Sequence, residues 1–121
     1  MRARLLFTTV AAGMLAAAGL ACAADTPPAT PPVLMLRNSQ FEPRELAIPE
    51  GVKIKLIVRN MDDAPAEFES YDLSREVVVA AHGEAAIYIG PLQPGSYQFF
   101  NDFNRAMQGT IVVKPAPKGQ K

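Results

Sequence analysis

Two short stretches of the sequence carry side chains that could bind a metal ion, "AEFES" at residues 66–70 and "NDFNRAM" at residues 101–107. Their carboxylate and amide oxygens suit hard cations or ferrous iron, whereas a methionine thioether favours Cu(I). These residue types leave the metal unknown, with copper and iron both candidates. If the two stretches meet at one end of the fold, the candidate ligands are Glu67, Glu69, Asn101, Asp102, Asn104 and Met107.

The same residues also have ordinary structural interpretations. On a strand, Glu67 and Glu69 point to one face and Phe68 to the other. If Phe68 enters the core, both carboxylates face water, as charges on a half-buried strand usually do. Met107 could fill the core, and the two asparagines could bond the backbone of a turn. The residues alone therefore leave a metal site and a metal-free turn open.

Catalytic constellations are missing from the sequence. His82 is the only histidine, and we expect it to be exposed in the turn "AAHG", at the end of the fold opposite to "NDFNRAM". No nucleophile–base pair and no glycine-rich phosphate loop is present, so hydrolytic activity is unsupported. Of Phe99, Phe100 and Phe103, one should be exposed near the turn, and an exposed aromatic residue there favours a docking surface.

The N-terminus has the pattern of a secretory signal. Arg2 and Arg4 precede an apolar stretch of about sixteen residues, short of the roughly twenty that span a bilayer. Cleavage after Ala23 gives a signal peptide at 1–23 and a mature chain with no membrane span, and we expect the mature protein in the periplasm. The alternative is a lipoprotein acylated on Cys22.

The mature chain would hold 98 residues, enough for one domain. It has ten basic and twelve acidic residues, a net charge of −2, so nucleic acid is not expected as a partner. It contains no cysteine, which excludes disulfides and thiolate chemistry. Proline-rich composition predicts a linker at 24–32 and a flexible tail at 115–121, with one domain at 33–114 between them.

The domain has strand periodicity nearly throughout. Turn signals such as "IPEG", "NMDDAP", "AAHG" and "QPG" separate short apolar or alternating runs. Seven or eight short strands in about 80 residues predict an all-β Greek-key sandwich. The predicted strands are 33–38, 45–49, 52–60, 66–70, 75–80, 84–90, 96–101 and 109–114.

Three segments resemble the cupredoxins, "FEPRELAIPEGVKIKLIVRN", "IGPLQPGSYQFF" and "NDFNRAMQGTIVVK", and the resemblance covers residues 33–114. A blue copper centre needs a thiolate, two imidazoles and a weak axial methionine. Here Asn101 stands at the cysteine position, Asn104 at one histidine position, and Ala66 or Glu67 at the other. Only Met107 matches, so the resemblance implies a cupredoxin-like sandwich without type 1 copper.

Within that family, "EFES", "REVVV" and "IGPLQPGSYQFF" are most similar to periplasmic cupredoxin-like proteins associated with bacterial iron uptake. Relatives of that kind often carry histidine where this chain has Tyr71 and Asn104. The resemblance implies an accessory protein of iron or copper uptake that binds metal weakly or together with a partner. That partner would be a periplasmic metal-binding protein or an inner-membrane iron permease. The alternatives are a metal-free interaction module and, ranked last, a ferrous-iron oxidase, so enzymatic activity is not the favoured interpretation.

Overall fold

The structure is a computed structural model that describes residues 30–116. The predicted signal peptide at 1–23, most of the predicted linker at 24–32 and most of the predicted tail at 115–121 lie outside the described residues. Between residues 30 and 116 there is no helix with the length and apolar character that crossing a bilayer requires.

The described residues form nine strands. They are β1 Val33–Arg37, β2 Gln40–Glu42, β3 Glu45–Pro49, β4 Ile54–Asn60, β5 Ala66–Ser70, β6 Arg75–Val79, β7 Glu84–Ile89, β8 Gly95–Asn101 and β9 Asn104–Lys114. The prediction of seven or eight strands missed β2, which pairs with β1 through a two-residue turn. It also began the last strand at residue 109, whereas β9 begins at Asn104.

The strands form two sheets, one in the order β2-β1-β4-β7 and the other in the order β3-β9-β8-β5-β6. Most neighbours are antiparallel, but β1 runs parallel to β4 and β3 runs parallel to β9. Parallel neighbours require crossover connections, which carry the chain from one sheet to the other. The predicted all-β sandwich is confirmed.

The core lies between the sheets and follows from alternation along the strands. In β4 the side chains of Ile54, Leu56 and Val58 are fully buried, while Lys55 is exposed and Arg59 is half-buried. Burying such an aliphatic side chain contributes about 1.5–3 kcal/mol. Residues 30–116 contain no cysteine, so this burial is the main stabilising term of the domain.

An aromatic cluster fills the middle of the sandwich. The ring of Phe99 meets Phe41 edge-on at a centroid distance of 4.9 Å and lies 5.3 Å from Phe68. All three rings are buried, so Phe68 does enter the core, which is the condition under which Glu67 and Glu69 point away from it. Gly109 lies opposite Phe99 in the β8–β9 register, and the ring edge occupies the space where a side chain at 109 would be.

Four connections meet at one end of the sandwich, called the loop end here: the β1–β2 turn, the β4–β5 loop, the β6–β7 loop and the β8–β9 turn. Nε2 of His82 lies 2.6 Å from Oδ1 of Asp63, across the gap between the β6–β7 and β4–β5 loops. The prediction that His82 lies at the end opposite to "NDFNRAM" was therefore wrong. β5 runs away from the loop end, so antiparallel β6 returns to it.

Both ends of the domain lie at the pole opposite to the loop end. β4 ends at the loop end, so parallel β1 begins at the far pole. β8 also ends at the loop end, so antiparallel β9 runs back and finishes at the far pole. There the amide of Glu50 donates to the carbonyl of Lys114 at 3.1 Å.

We expect Gly109→Ala to destabilise the fold by about 3 kcal/mol, because overpacking a rigid core forces rings and backbone apart. A Cβ at this position would stand 2.3 Å from Cζ of Phe99 and 2.8 Å from the carbonyl oxygen of Arg44. Urea denaturation measures the change, with Gln108→Ala on the exposed face of β9 as the control. Equal free energies of unfolding for the two variants would contradict the close approach.

Candidate functional site

Asn101, at the end of β8, is buried, and its side-chain amide contacts three parts of the chain. Its Oδ1 accepts the backbone amide of Glu67 at 2.9 Å and that of Phe103 at 3.1 Å. Its Nδ2 donates to the sulfur of Met107 at 3.4 Å. The amide thus joins β5, the β8–β9 turn and β9.

Met107 reaches the interior because residues 107, 109, 111 and 113 of β9 all point inward by the normal alternation of a strand, and it is 5% exposed. The β8–β9 ladder shifts register next to it: Phe100 pairs with Gln108, but the next residue, Asn101, pairs with Asn104. The extra residues on β9 form an irregularity at the loop end. A thioether fills irregular space well and accepts hydrogen bonds weakly.

The remaining positions of the copper-like spacing do not supply ligands. Ala66 is buried and brings only a methyl group. Asn104 is exposed and begins β9. Type 1 copper requires a thiolate and two imidazoles. These residues present two amides, a methyl group and a thioether that already accepts a hydrogen bond, so they do not fit that ion.

Glu67 and Glu69 lie on the outer face of the five-stranded sheet, together with Glu76, which stands opposite Glu69 in the β5–β6 register. Carboxylate oxygens of these three residues lie within 4.8 Å of one another. We call these residues and Asp102 the acidic face. Desolvation, followed by repulsion from Asp102 and neighbouring glutamates, raises the pKa of Glu67 above its usual 4.5. Desolvation and repulsion from Asp102 and Glu76 likewise raise the pKa of Glu69.

The structure therefore separates five of the six predicted ligands into two groups. Asn101 and Met107 bond each other inside the sandwich. Glu67, Glu69 and Asp102 belong to the outer face, where Arg105 donates to Oδ1 of Asp102 from Nη2 at 2.7 Å and from Nε at 3.0 Å. The sixth residue, Asn104, belongs to neither group and is exposed at the start of β9.

A cleft of about 610 Å³ opens at the loop end, above Asn101 and Met107. We call it the loop-end cleft. Its lining comes from the β1–β2 turn, the β4–β5 loop and the β8–β9 turn: Leu36, Ser39, Asn60, Asp62, Asp63, Ala64, Pro65, Ala66, Asn101, Phe103, Asn104 and Met107.

Sequence reasoning missed several residues of these surfaces. Asn60 is buried, and its Nδ2 donates to the carbonyl of Ala64 at 2.7 Å, which shapes the β4–β5 loop. The side chains of Asp62 and Asp63 follow it in "NMDDAP", and an Asn-x-Asp turn at the end of a strand was the available signal. Glu76 could have been found from the register of the β5–β6 hairpin.

The chain belongs to the cupredoxin-like domain family, which it matches over residues 6–113. Amicyanin from Paracoccus versutus (Thiobacillus versutus) has a similar structure, with a TM-score of 0.57, 18% identity, and coverage of 72% of this chain and 84% of amicyanin. A reduced Cu(I) form of an amicyanin variant gives a TM-score of 0.56 at 13% identity, with 69% and 82% of the two chains covered. At such identities the likeness shows the fold alone.

An uncharacterized protein of Rickettsia prowazekii (strain Madrid E) is 41% identical over 81 residues, 66% of this chain. The match spans 65% of that relative, slightly less than two thirds of its length.

We expect Asn101→Ala to lower the free energy of unfolding by about 1–3 kcal/mol, because it leaves the partly buried backbone amides of Glu67 and Phe103 without their acceptor. Asn104→Ala is the matched control at the other end of the same turn. Its side chain is exposed, so its effect should be about 0.5 kcal/mol or less. Thermal and urea denaturation both report the difference, and two equally mild variants would refute the role given to Asn101.

Glu69→Gln should raise stability at about pH 7 and leave it unchanged at about pH 4. A raised pKa in the folded state means that the native protein holds its protons to a higher pH than the unfolded chain does. The stability that Glu69 contributes is therefore fully present below the pKa that this group has in the unfolded chain. It is lost as the pH rises through the higher pKa of the folded state. Melting temperatures of wild type and variant at both pH values test this. A variant that melts lower at neutral pH would show that the repulsion does not govern this face.

Proposed function

We propose that this protein is an exported, non-catalytic accessory protein of iron or copper uptake, in which a cupredoxin scaffold serves docking and weak cation binding. The carrying observation is the bonding of Asn101. At the position where a blue copper protein has its thiolate, the chain has an amide that uses both its oxygen and its nitrogen to hold protein groups. An electron carrier would need a redox centre in that place.

The link to metal uptake is supported by the resemblance of "EFES", "REVVV" and "IGPLQPGSYQFF" to periplasmic proteins of iron uptake. Export to the periplasm is supported by the pattern of residues 1–23. The partner in this proposal is a periplasmic metal-binding protein or an inner-membrane permease. The relatives and solved structures described above support the cupredoxin-like fold that the proposal assumes.

Cation binding is assigned to the acidic face rather than to the interior. Glu67, Glu69 and Glu76 offer three carboxylates close enough to share one hard divalent cation. Desolvation, and after it repulsion between the carboxylates, raises the pKa of Glu67 and of Glu69, and a cation among them would relieve the repulsion. The site is open to water and its ligands come from one face of a sheet. Its affinity should therefore be weak, and further ligands would come from the docked partner.

A metal-free interaction module is the second candidate. The hydrogen bonds of Asn101 favour this candidate directly. Among the described residues, every buried side-chain nitrogen or oxygen has a hydrogen-bond partner within the protein. A ferrous-iron oxidase ranks below both, because a tightly held redox metal needs imidazole or thiolate ligands that the acidic face does not offer.

Anaerobic titration with Fe(II), followed by calorimetry, tests the proposal. We expect saturable binding of one equivalent with a Kd of about 0.1–1 mM, weakened about tenfold in Glu69→Gln and again in Glu76→Gln, because each removes one charged ligand. Glu45→Gln, an exposed glutamate on β3, is the matched control and should bind as wild type does.

A second experiment repeats the titration with Cu(I) and compares the wild type with Met107→Leu. The sulfur of Met107 is buried and hydrogen-bonded, so this variant should bind Fe(II) as wild type does. Loss of tight Cu(I) binding in Met107→Leu would place the metal site in the interior and overturn the assignment to the acidic face. No binding of either metal would leave the metal-free module as the function.

A further inference from the structure

The loop-end cleft can receive a group separately from the acidic face. Its volume of about 610 Å³ falls in the range of pockets that bind small ligands or side chains. The buried residues Leu36, Ala66 and Met107 lie in its floor, and Phe103, 55% exposed, forms one wall. An apolar group that enters would therefore cover mainly the exposed ring of Phe103.

The walls of the cleft are fixed before anything binds. Oδ1 and Oδ2 of Asp62 accept the backbone amides of Asn38 at 2.7 Å and Ser39 at 3.0 Å, which ties the β4–β5 loop to the β1–β2 turn. The amide of Met61 donates to the carbonyl of Leu36 at 2.8 Å. A preformed pocket loses little conformational entropy on binding, and this favours recognition of a single inserted side chain.

The charged side chains that line the cleft have one sign. Asp62 and Asp63 line it, and none of its lining residues is a lysine or arginine. His82, which bonds Asp63 at 2.6 Å, is not part of that lining. Arg105, on the far side of the β8–β9 turn, is engaged by Asp102. A cationic group brought to the rim gains attraction, and a carboxylate is repelled.

Exposed apolar side chains on and beside the cleft indicate a macromolecular occupant. Phe103 lines the cleft and is 55% exposed, and Met61, 43% exposed, stands in the sequence between the lining residues Asn60 and Asp62. A small molecule held within the cleft would leave much of these side chains in water, whereas a polypeptide crossing it would cover more of them. Exposed aromatic and methionine side chains beside a pocket are typical of protein interfaces.

We propose that the loop-end cleft is the docking site for a segment of a partner protein that inserts one apolar side chain beside a lysine or arginine. The inserted side chain packs against Phe103 above Leu36, Ala66 and Met107, and the basic group meets Asp63 at the rim. This inference rests on the proposed accessory role and names the chemistry of the partner that the role requires.

The test uses a display library of random linear peptides, selected on the full chain and counter-selected on Phe103→Ala. We expect the enriched peptides to share one aromatic or aliphatic residue next to lysine or arginine. An enriched peptide, once synthesised, should shift the amide resonances of residues 61–66 and 101–107. Its affinity should fall about tenfold in Phe103→Ala and about threefold in Asp63→Asn, the latter with a weaker dependence on salt.

Tyr71→Ala is the control, because Tyr71 is a 65% exposed aromatic residue that lies against Phe100 on the outer face and does not line the cleft. It should bind as wild type does. Peptides without a basic residue, resonance shifts outside the loop end, or equal binding to Phe103→Ala would overturn the proposal, as would the absence of any enrichment. Self-association of the protein that disappears in Phe103→Ala would assign the cleft to a second copy instead.

The peptide selection and the metal titration depend on different residues, so their failures can be told apart. Fe(II) binding by the acidic face without a cleft-binding peptide would remove the docking inference and leave the proposed function in place. A cleft-binding peptide without metal binding would keep the docking site and turn the function into that of a metal-free module. Failure of both would remove the accessory role itself.

Discussion

At the end of β8 one neutral amide meets the backbone of β5, the backbone of the following turn and the sulfur of Met107. This side chain therefore fixes β5, the β8–β9 turn and β9 relative to one another. A metal ion performs such cross-linking through charged or deprotonated ligands and only while it is bound. The amide of Asn101 does so permanently, without a buried charge, and its hydrogen bonds do not depend on metal supply.

The last hairpin changes register at the same residue. Asn101, held against Glu67 of β5, pairs with Asn104 instead of continuing the ladder, while Met107 keeps the inward alternation of β9. That placement closes the core beneath the loop end and supplies the floor of the cleft. The glutamates of the outer face take no part in closing the core. They lie near one another despite their repulsion.

Local periodicity was enough to predict most of the sandwich. Alternation with a period of two predicts that Glu67 and Glu69 share one face of β5 and Phe68 takes the other, because each strand buries one face whatever its neighbours are. The early start of β9 was not predicted, since the register shift at Asn101 that accompanies it is not visible in local periodicity. The position of His82 was wrongly predicted because the end at which a turn lies depends on the direction of every strand before it. Met107 lies apart from the glutamates because it continues the inward face of β9, whereas they point outward from β5.

The directions of the first strand, β1, and the last strand, β9, have a consequence for how the domain can be held. β1 begins and β9 ends at the pole away from the cleft, and a seven-residue strand such as β4 is roughly 20 Å long. A tether joined to either terminus therefore holds the domain by its base and leaves the cleft at the top, facing away from the point of attachment. Lengthening or shortening such a tether would change how far the cleft reaches without changing which surface it offers. Distance to a partner and recognition of that partner are thus set by separate parts of the chain.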